Sequence, residues 1–321
     1  MQKPNVMKIV RIALVCVFAT VFVVSAIMLV NTLIDYRAAS ELYGQVQDDF
    51  MNAISNTTGT PEDNTPKDVW TRGPEGIVSV PGTEAPVTPD TQPPTGDVTT
   101  PSGGQQPAVT TPAVTTPPAP VYSERFLNAC QFIKSLQATN PHVIGYIYVE
   151  IAPGDEELNI SYPILKAEDN DYYISHAYDN SQLRAGAIFL DYRNNENLLR
   201  NVVSVVYGHN MSNGAMFHNL KHLKQSQYFN SATITVYTLD GIYTYKPFSI
   251  YNTDASSGYT RLFFESDAQY LSFLEAVKKK SLMSSDMEFY NTDKVITLST
   301  CLNTSPDARM AVHAVLVGVS Q

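Results

Sequence analysis

The sequence is poor in cysteine, tryptophan and charged residues, and it has no excess of basic side chains. Among 321 residues there are three cysteines, one tryptophan, and 21 Lys or Arg against 31 Asp or Glu, for a net charge of −10. Three cysteines without paired spacing exclude a disulfide framework and a Cys-x-x-Cys metal site. The acidic balance argues against a nucleic-acid partner, because proteins bind phosphates through basic patches. The length allows one large or two small domains.

A long uncharged stretch near the N-terminus predicts a membrane anchor. Ile12 to Val30 is a run of 19 residues broken only by Thr20 and Ser25, close to the ~20 residues that span a bilayer core. The basic residues before it are Lys3, Lys8 and Arg11. This bias places the N-terminus in the cytoplasm and the remaining chain outside, so we expect residues 1–35 to be a cytoplasmic tip and a single-pass signal-anchor in the cell membrane. A cleaved signal peptide, with its usual apolar core of ~7–15 residues, is the alternative.

The composition changes between this anchor and the folded domain. Residues 36–60 carry apolar side chains at helical spacing and are expected to form a juxtamembrane segment with a short helix. Fourteen of the twenty prolines lie in residues 61–120, and such Thr/Pro-rich sequence cannot bury a core. We therefore expect an extracytoplasmic linker that carries the folded domain, residues 121–321, away from the membrane.

The folded domain is predicted to be mostly β. About nine short strands with two or three helices are typical of a closed or nearly closed barrel rich in antiparallel pairs. Ser123 and Ser266 are N-cap candidates for two of the helices, and Asp240 with Gly241 forms a two-residue hairpin signal. A further short helix is expected at 215–223. The predicted strands are 143–150, 160–164, 172–175, 187–191, 202–207, 233–239, 242–251, 295–300 and 310–319.

Cys301 lies outside both the N-terminal apolar run and the helix-like segments. It follows a β-branched strand and opens a short polar loop with Pro306 and Asp307, after which Arg309 begins the next strand. Antiparallel strands joined by so short a loop bring the thiol and the guanidinium to one rim, where a cation favours the reactive thiolate. On this stretch alone a buried core cysteine is an equally good interpretation. Cys130, in contrast, falls on the apolar face of a predicted helix and is expected in the core.

His209 is the histidine best placed to assist such a thiol. It follows the strand at 202–207, and imidazole exchanges protons near neutral pH with a thiol and a leaving amine. Arg309 would then stabilise the oxyanion of a tetrahedral intermediate. These residues form a site only if their strands adjoin, which periodicity does not establish. His218 and His222 are four residues apart, but the Glu of an HExxH zinc motif is absent, so we expect satisfied or surface histidines and no metal site.

Several motifs in one order resemble those of a known family. TLSTC at 297–301, YGHNMSNGAMFHNL at 207–220 and GAIFLDYRNN at 186–195 are supported by NPHVIGYIYV and YYISHAYDN earlier in the chain. Together they resemble the sortases, membrane-anchored cysteine transpeptidases of Gram-positive bacteria, and the class B branch in particular. The resemblance covers roughly residues 126–319.

The resemblance implies a fold and a set of site residues. The fold is the sortase-type eight-stranded β-barrel, with an N-terminal helix and a helix inserted before the cysteine strand. The implied catalytic residues are Cys301, His209 and Arg309. The residues expected to line the substrate groove are Ser299, Thr300 and, on weaker grounds, Tyr207. No metal or cofactor is implied.

The resemblance also implies a reaction. The enzyme would cleave a C-terminal sorting signal in secreted proteins through a thioacyl intermediate. It would then transfer the protein to an amino group of peptidoglycan or its lipid-linked precursor. The alternatives are a cell-wall cysteine endopeptidase, which hydrolyses its substrate as a thiol protease, a pilin-polymerising sortase, and a non-catalytic binding module.

Overall fold

The computed structural model describes residues 6–55, 70–73, 76–77, 122–302 and 304–321. Lys3 and the greater part of the predicted linker, residues 78–120, lie outside the described residues. The α-helices within this part of the chain are α1 Val6–Ser55, α2 Glu124–Thr139, α3 Ser226–Ser231 and α4 Asp267–Lys280. The strands are β1 Trp70–Gly73, β2 Gly76–Ile77, β3 Val143–Glu150, β4 Ile160–Leu165, β5 Ile188–Leu190, β6 Val203–Tyr207, β7 Thr233–Thr238, β8 Ile242–Asp254, β9 Val295–Cys301 and β10 Ala308–Ser320.

In the described chain, eight strands close into a barrel. Their order is β10-β8-β7-β3-β4-β5-β6-β9, and β9 pairs back onto β10. The β4–β5 and β6–β9 pairs are parallel, and the remaining barrel pairs are antiparallel. The helix α4 lies in the segment before β9. The predicted fold class is therefore confirmed.

Local sequence signals account for several element ends. The Ser123 hydroxyl accepts the Phe126 N–H at 3.2 Å, and the Ser266 hydroxyl accepts the Gln269 N–H at 3.3 Å. Each bond satisfies one of the first N–H groups of a helix, as an N-cap does. A tight hairpin joins β7 and β8 as predicted, but Tyr237 pairs with Ile242 and the Thr238 N–H donates to the Gly241 carbonyl at 3.0 Å, so the two loop residues are Leu239 and Asp240 rather than Asp240 and Gly241. The helix expected at 215–223 is a 3-10 helix, His218–Lys224, followed by the separate α3.

The strand predicted at 172–175 is wrong. Tyr172–Ile174 forms a 3-10 turn instead. One carboxylate oxygen of Asp169 accepts the backbone N–H groups of residues 171 and 172, each at 2.9 Å. An aspartate that binds the backbone two or three residues on starts a turn, and this local bond outweighs the β propensity of the aromatic and β-branched side chains that follow.

The two halves of α1 have opposite environments. The N-terminal half is apolar and exposed, and it is long enough to cross a membrane. The C-terminal half presents a buried stripe at helical spacing, formed by Ala39, Tyr43, Val46, Phe50 and Ile54. Phe50 is fully buried and stacks on Tyr146 with 3.7 Å between ring centroids. This stripe of α1 thus packs into the hydrophobic core of the folded domain, although the sequence predicted a separate juxtamembrane segment.

Part of the predicted linker also belongs to the barrel. β1 pairs antiparallel with the end of β10, and β2 pairs with β1. Arg72 donates from Nε and Nη2 to the two carboxylate oxygens of buried Asp293, at 2.8 and 2.9 Å. β10 extends beyond its last pairing with β9 at Val315, so its free backbone groups there are available to β1. The prediction that residues 61–120 serve only as a spacer is therefore wrong for residues 70–77.

The packing of α1 on the barrel yields a stability prediction. Phe50→Ala in the full chain should lower the free energy of unfolding by about 3–5 kcal/mol, because a buried aromatic ring is lost and a cavity remains. Phe22→Ala is the matched control, since Phe22 lies on the same helix but is 74% exposed. Chemical denaturation of both variants in detergent measures the difference. Equal midpoints for the two variants would contradict the docking of α1.

Candidate active site

Three neighbouring strands bring the predicted catalytic residues together. In the antiparallel β9–β10 pair, Cys301 lies directly opposite Arg309, where side chains share a face with Cβ atoms ~4.5–5.5 Å apart. In the parallel β6–β9 pair, Tyr207 aligns with Ser299, and the N–H of the next residue, Gly208, donates to the Ser299 carbonyl at 3.1 Å. His209 follows at the same end of the barrel. The strands that carry the three residues therefore adjoin.

These residues line one cleft of about 360 Å³ at the end of the barrel. All six residues predicted for the site border it, namely Tyr207, His209, Ser299, Thr300, Cys301 and Arg309. The sequence did not point to most of the other lining residues, which are Asn170, Asp171, Ile174, Phe189, Gly208, Ala255, Tyr259 and Thr260. A cleft of this size is in the range of ligand-binding sites.

Cys301 is held by the loop that carries His209. Its backbone carbonyl accepts a hydrogen bond from Asn210 Nδ2 at 3.0 Å, and Asn210 Oδ1 accepts from His218 Nδ1 at 2.8 Å. Burial, and then the charge of the neighbouring Lys221, lower the pKa of His218. His218 is thus a satisfied histidine, as expected, but it lies only two hydrogen bonds from Cys301. Asn210 belongs to the YGHNM motif, and that motif was the one feature of the sequence that pointed to the contact between Asn210 and Cys301.

The imidazole of His209 is oriented by a backbone carbonyl. His209 Nε2 lies 2.8 Å from the Ile174 carbonyl oxygen. A carbonyl only accepts, so Nε2 carries the proton and Nδ1 is the basic atom of the neutral ring. The preceding Gly208 leaves no room for a side chain, since an added Cβ there would lie 2.3 Å from Ile188 Cδ1 and 2.7 Å from Phe217 Cδ2.

The Arg309 guanidinium is anchored by its own loop. Its Nη1 donates to the carbonyl oxygens of Pro306 at 2.7 Å and Ala308 at 3.1 Å. Nε and Nη2 have no hydrogen-bond partner among the described residues. This arrangement fixes the cation at the cleft and leaves N–H groups for a bound oxygen.

Two hydroxyl groups on β9 differ in what they bind. The Ser299 hydroxyl is hydrogen-bonded to the phenol of Tyr259 at 2.7 Å, and both residues are buried. The Thr300 hydroxyl is buried and has no hydrogen-bond partner within the described chain. An unpartnered buried hydroxyl is costly, so Thr300 is the polar group in this cleft that most needs a ligand.

Tyr207 belongs to a polar cluster beside the cleft. Its phenol donates to Asp191 Oδ2 at 2.9 Å, and Asp191 also accepts both Nε and Nη2 of Arg193 at 2.8 and 2.7 Å. Burial alone would raise the pKa of Asp191, but hydrogen bonds from Arg193 and Tyr207 outweigh it and hold that pKa below its usual range. Burial and the same carboxylate raise the pKa of Tyr207. In the sequence, Asp191 and Arg193 were part of the GAIFLDYRNN motif, but no role could be assigned to them.

Cys130 lies away from the cleft. It is half-buried against the core beneath α2, and its Sγ is 3.8 Å from the carbonyl oxygen of Thr238. Burial raises the pKa of this thiol. The expectation that Cys130 is a packing residue agrees with these contacts.

Comparisons with known proteins match the barrel and its site. A sortase domain model matches residues 156–317. Sortase B of Listeria monocytogenes is 34% identical over 191 residues, which are 58% of this chain and 74% of that protein. Sortase B of Staphylococcus aureus is 32% identical, covering 58% of this chain and 75% of that one. The crystal structure of the Staphylococcus aureus enzyme superposes with a TM-score of 0.53 and 31% identity, over 59% of this chain and 88% of that one. The crystal structure of sortase B from Bacillus anthracis in complex with AAEK1 superposes with a TM-score of 0.51 and 37% identity, over 58% of this chain and 84% of that one.

The Asp191 cluster predicts a pH-dependent effect. Asp191→Asn should lower the Tm at pH 7 by about 2–4 °C, the shift that about 1 kcal/mol produces in a domain of this size. Because the folded pKa of Asp191 is depressed, its contribution is present above the unfolded carboxyl value of about 3.9 and is lost as pH falls through the folded value.

Thermal unfolding from pH 7 to pH 3 measures this effect. The gap between the variant and the wild type should narrow towards the acidic end. Asp286→Asn, at an exposed carboxylate, is the control and should change the Tm little at any pH. A gap that persists unchanged at pH 3 would contradict the assignment.

Proposed function

Because the chain belongs to class B of the sortase family, we propose that it is a cysteine transpeptidase that moves secreted proteins onto an amino group of the cell wall. The observation that carries this proposal is the arrangement of Cys301, His209 and Arg309 around one cleft on three adjoining strands. The pairing of a thiol with a general base and an oxyanion donor suits acyl transfer.

The proposed reaction has two halves. His209 Nδ1 first takes the proton of the Cys301 thiol. The thiolate then attacks a backbone carbonyl carbon of the sorting signal, and the oxyanion so formed accepts hydrogen bonds from Arg309. The intermediate collapses to a thioester as the C–N bond breaks, and His209 gives its proton to the departing amine. An acceptor amine then attacks the thioester, His209 takes its proton, and Cys301 leaves as thiolate. In the tautomer favoured by the Ile174 carbonyl, Nδ1 of His209 is the atom that gains and loses this proton.

The groups along β9 are suited to an extended peptide. The unpartnered Thr300 hydroxyl supplies a hydrogen bond that a peptide group can complete. Ser299 and Tyr259 hold each other in place beside it, and Tyr207 is held by Asp191. A structure of a Staphylococcus aureus sortase B–substrate complex superposes on this chain with a TM-score of 0.53 at 30% identity, over 59% of this chain and 86% of that one. This likeness supports a peptide ligand in the same cleft.

The exposed apolar half of α1 fits a membrane anchor. Lys8 and Arg11 precede the apolar run, so the N-terminus would be cytoplasmic and the barrel would lie on the outer face. The acceptor amine would then belong to peptidoglycan or to its lipid-linked precursor, both of which are found on that face. An extracellular form of the protein that begins after Ala26 would contradict an uncleaved anchor.

The nucleophile assignment predicts which thiol carries the acyl group. Cys301→Ala should abolish both acylation and transfer, and His209→Ala should be nearly as damaging because both proton transfers depend on it. Cys130→Ala is the matched control and should keep most of the activity. Mass spectrometry of the full chain with candidate sorting peptides detects the thioacyl adduct. An adduct on Cys301→Ala would refute the assignment.

The same assay separates transfer from hydrolysis. A peptide amide formed with an added amine supports the transpeptidase. Free acid as the sole product, with or without the amine, would instead identify a cell-wall cysteine endopeptidase.

The role given to Arg309 predicts that charge alone is not enough. Arg309→Lys should lower the transfer rate by about 10²–10³-fold, the usual effect of removing one oxyanion donor. Lysine lacks the planar set of N–H groups that binds loop carbonyls and a substrate oxygen at once. Lys294→Arg serves as a control for a basic exchange outside the cleft. A rate near that of the wild type for Arg309→Lys would show that Arg309 does not bind the oxyanion.

A further inference from the structure

Among the described residues, the one hydrogen bond to the His209 ring is that with the Ile174 carbonyl. The bond of 2.8 Å selects the tautomer of the ring. Ile174 itself lies at the end of the 3-10 turn and its side chain is exposed. The position of this carbonyl must therefore be set by the segment that follows it.

That segment is a compact hairpin of residues 173–187. The N–H of Ala187 donates to the Tyr173 carbonyl at 3.0 Å, and the N–H of Leu183 donates to the Ser175 carbonyl at 2.9 Å. Gly186 has a positive φ of 58° and lies directly against the Ile174 carbonyl, because an added Cβ would come within 2.6 Å of its oxygen. The Gly186 backbone is thus the surface against which the Ile174 carbonyl rests.

Gly186 is in turn held by a residue of α1. The buried phenol of Tyr43 donates to the Gly186 carbonyl at 2.7 Å and accepts the Tyr178 N–H at 3.3 Å. One hydroxyl therefore joins both arms of the hairpin. Burial raises the pKa of Tyr43, so the hydroxyl keeps its proton and remains a donor.

We propose that Tyr43 is a positioning residue for His209. It acts through Gly186 and the Ile174 carbonyl. Through Tyr43, the C-terminal half of α1 therefore helps to orient the catalytic histidine. This inference rests on the proposed role of His209 and adds a residue 166 positions earlier in the chain. Loss of the Tyr43 hydroxyl would leave the hairpin in place but free the Gly186 carbonyl and loosen the support of Ile174.

The test replaces only the hydroxyl. Tyr43→Phe in the full chain, in lipid nanodiscs, is compared with Tyr146→Phe. Tyr146 is a good control because it is fully buried and stacks on Phe50 of the same helix, while its hydroxyl bonds Ser161 at 3.0 Å rather than a group of the hairpin. Two quantities are measured: peptide transfer kinetics, and the ¹⁵N signals of the His209 imidazole, assigned by their absence in His209→Ala.

We expect Tyr43→Phe to lower kcat about 10- to 100-fold, as small misplacements of a catalytic group do, with KM for the peptide changed less than about twofold. The wild type should show the Nε2–H tautomer of His209, and Tyr43→Phe should show a mixture of tautomers. Tyr146→Phe should match the wild type in both measurements.

Several outcomes would overturn the inference. They are an unchanged kcat with an unchanged tautomer in Tyr43→Phe, an equal loss of rate in Tyr146→Phe, or a wild-type ring protonated at Nδ1 alone. The imidazole signals need no turnover, so they test the inference even if no transfer is detected. Full activity in His209→Ala would instead refute the proposed function, whatever the state of Tyr43.

Discussion

The pairing of β6 with β9 is the constraint on which the site depends. Parallel register sets Tyr207 beside Ser299, and the bonds from Gly208 and Asn210 to carbonyls of β9 extend that pairing beyond the end of the ladder. A slip of one residue would turn Cys301 to the other face of the sheet. The imidazole, thiol and guanidinium are therefore aligned by backbone hydrogen bonds, while the side chains add the final orientation.

A second level of support lies outside the barrel wall. The buried stripe of α1 fills the space above β3 and the hairpin of residues 173–187, with Phe50 against Tyr146 and Tyr43 against Gly186. The helix therefore does two things at once. It contributes to the core, and it borders the structure that orients the histidine, so the enzyme's active form includes residues that sequence composition alone assigns to a membrane-proximal connector.

Local features of the sequence predicted the local structure well. Helix caps at Ser123 and Ser266 and the turn at Gly241 are set by bonds within three residues, and the short loop before Arg309 requires its closeness to Cys301. The contact of Asn210 with Cys301 spans 91 residues, so only the family resemblance placed His209 near the thiol. The contacts of Tyr43 with Gly186 and of Arg72 with Asp293 could not be predicted from the sequence, because one apolar helix stripe and one arginine fit many partners equally well.

Residues 78–120, the greater part of the Thr/Pro-rich sequence, are joined at both ends to the same folded domain. α1 and β1 precede residues 78–120, α2 and the rest of the barrel follow them, and all of these elements pack together. A protease that cuts a conventional stalk releases the domain beyond it. Here a single cut in that segment leaves two polypeptides held by a shared core, so the barrel would stay attached to α1 and to whatever α1 is embedded in. Shedding from the cell would require unfolding as well as cleavage.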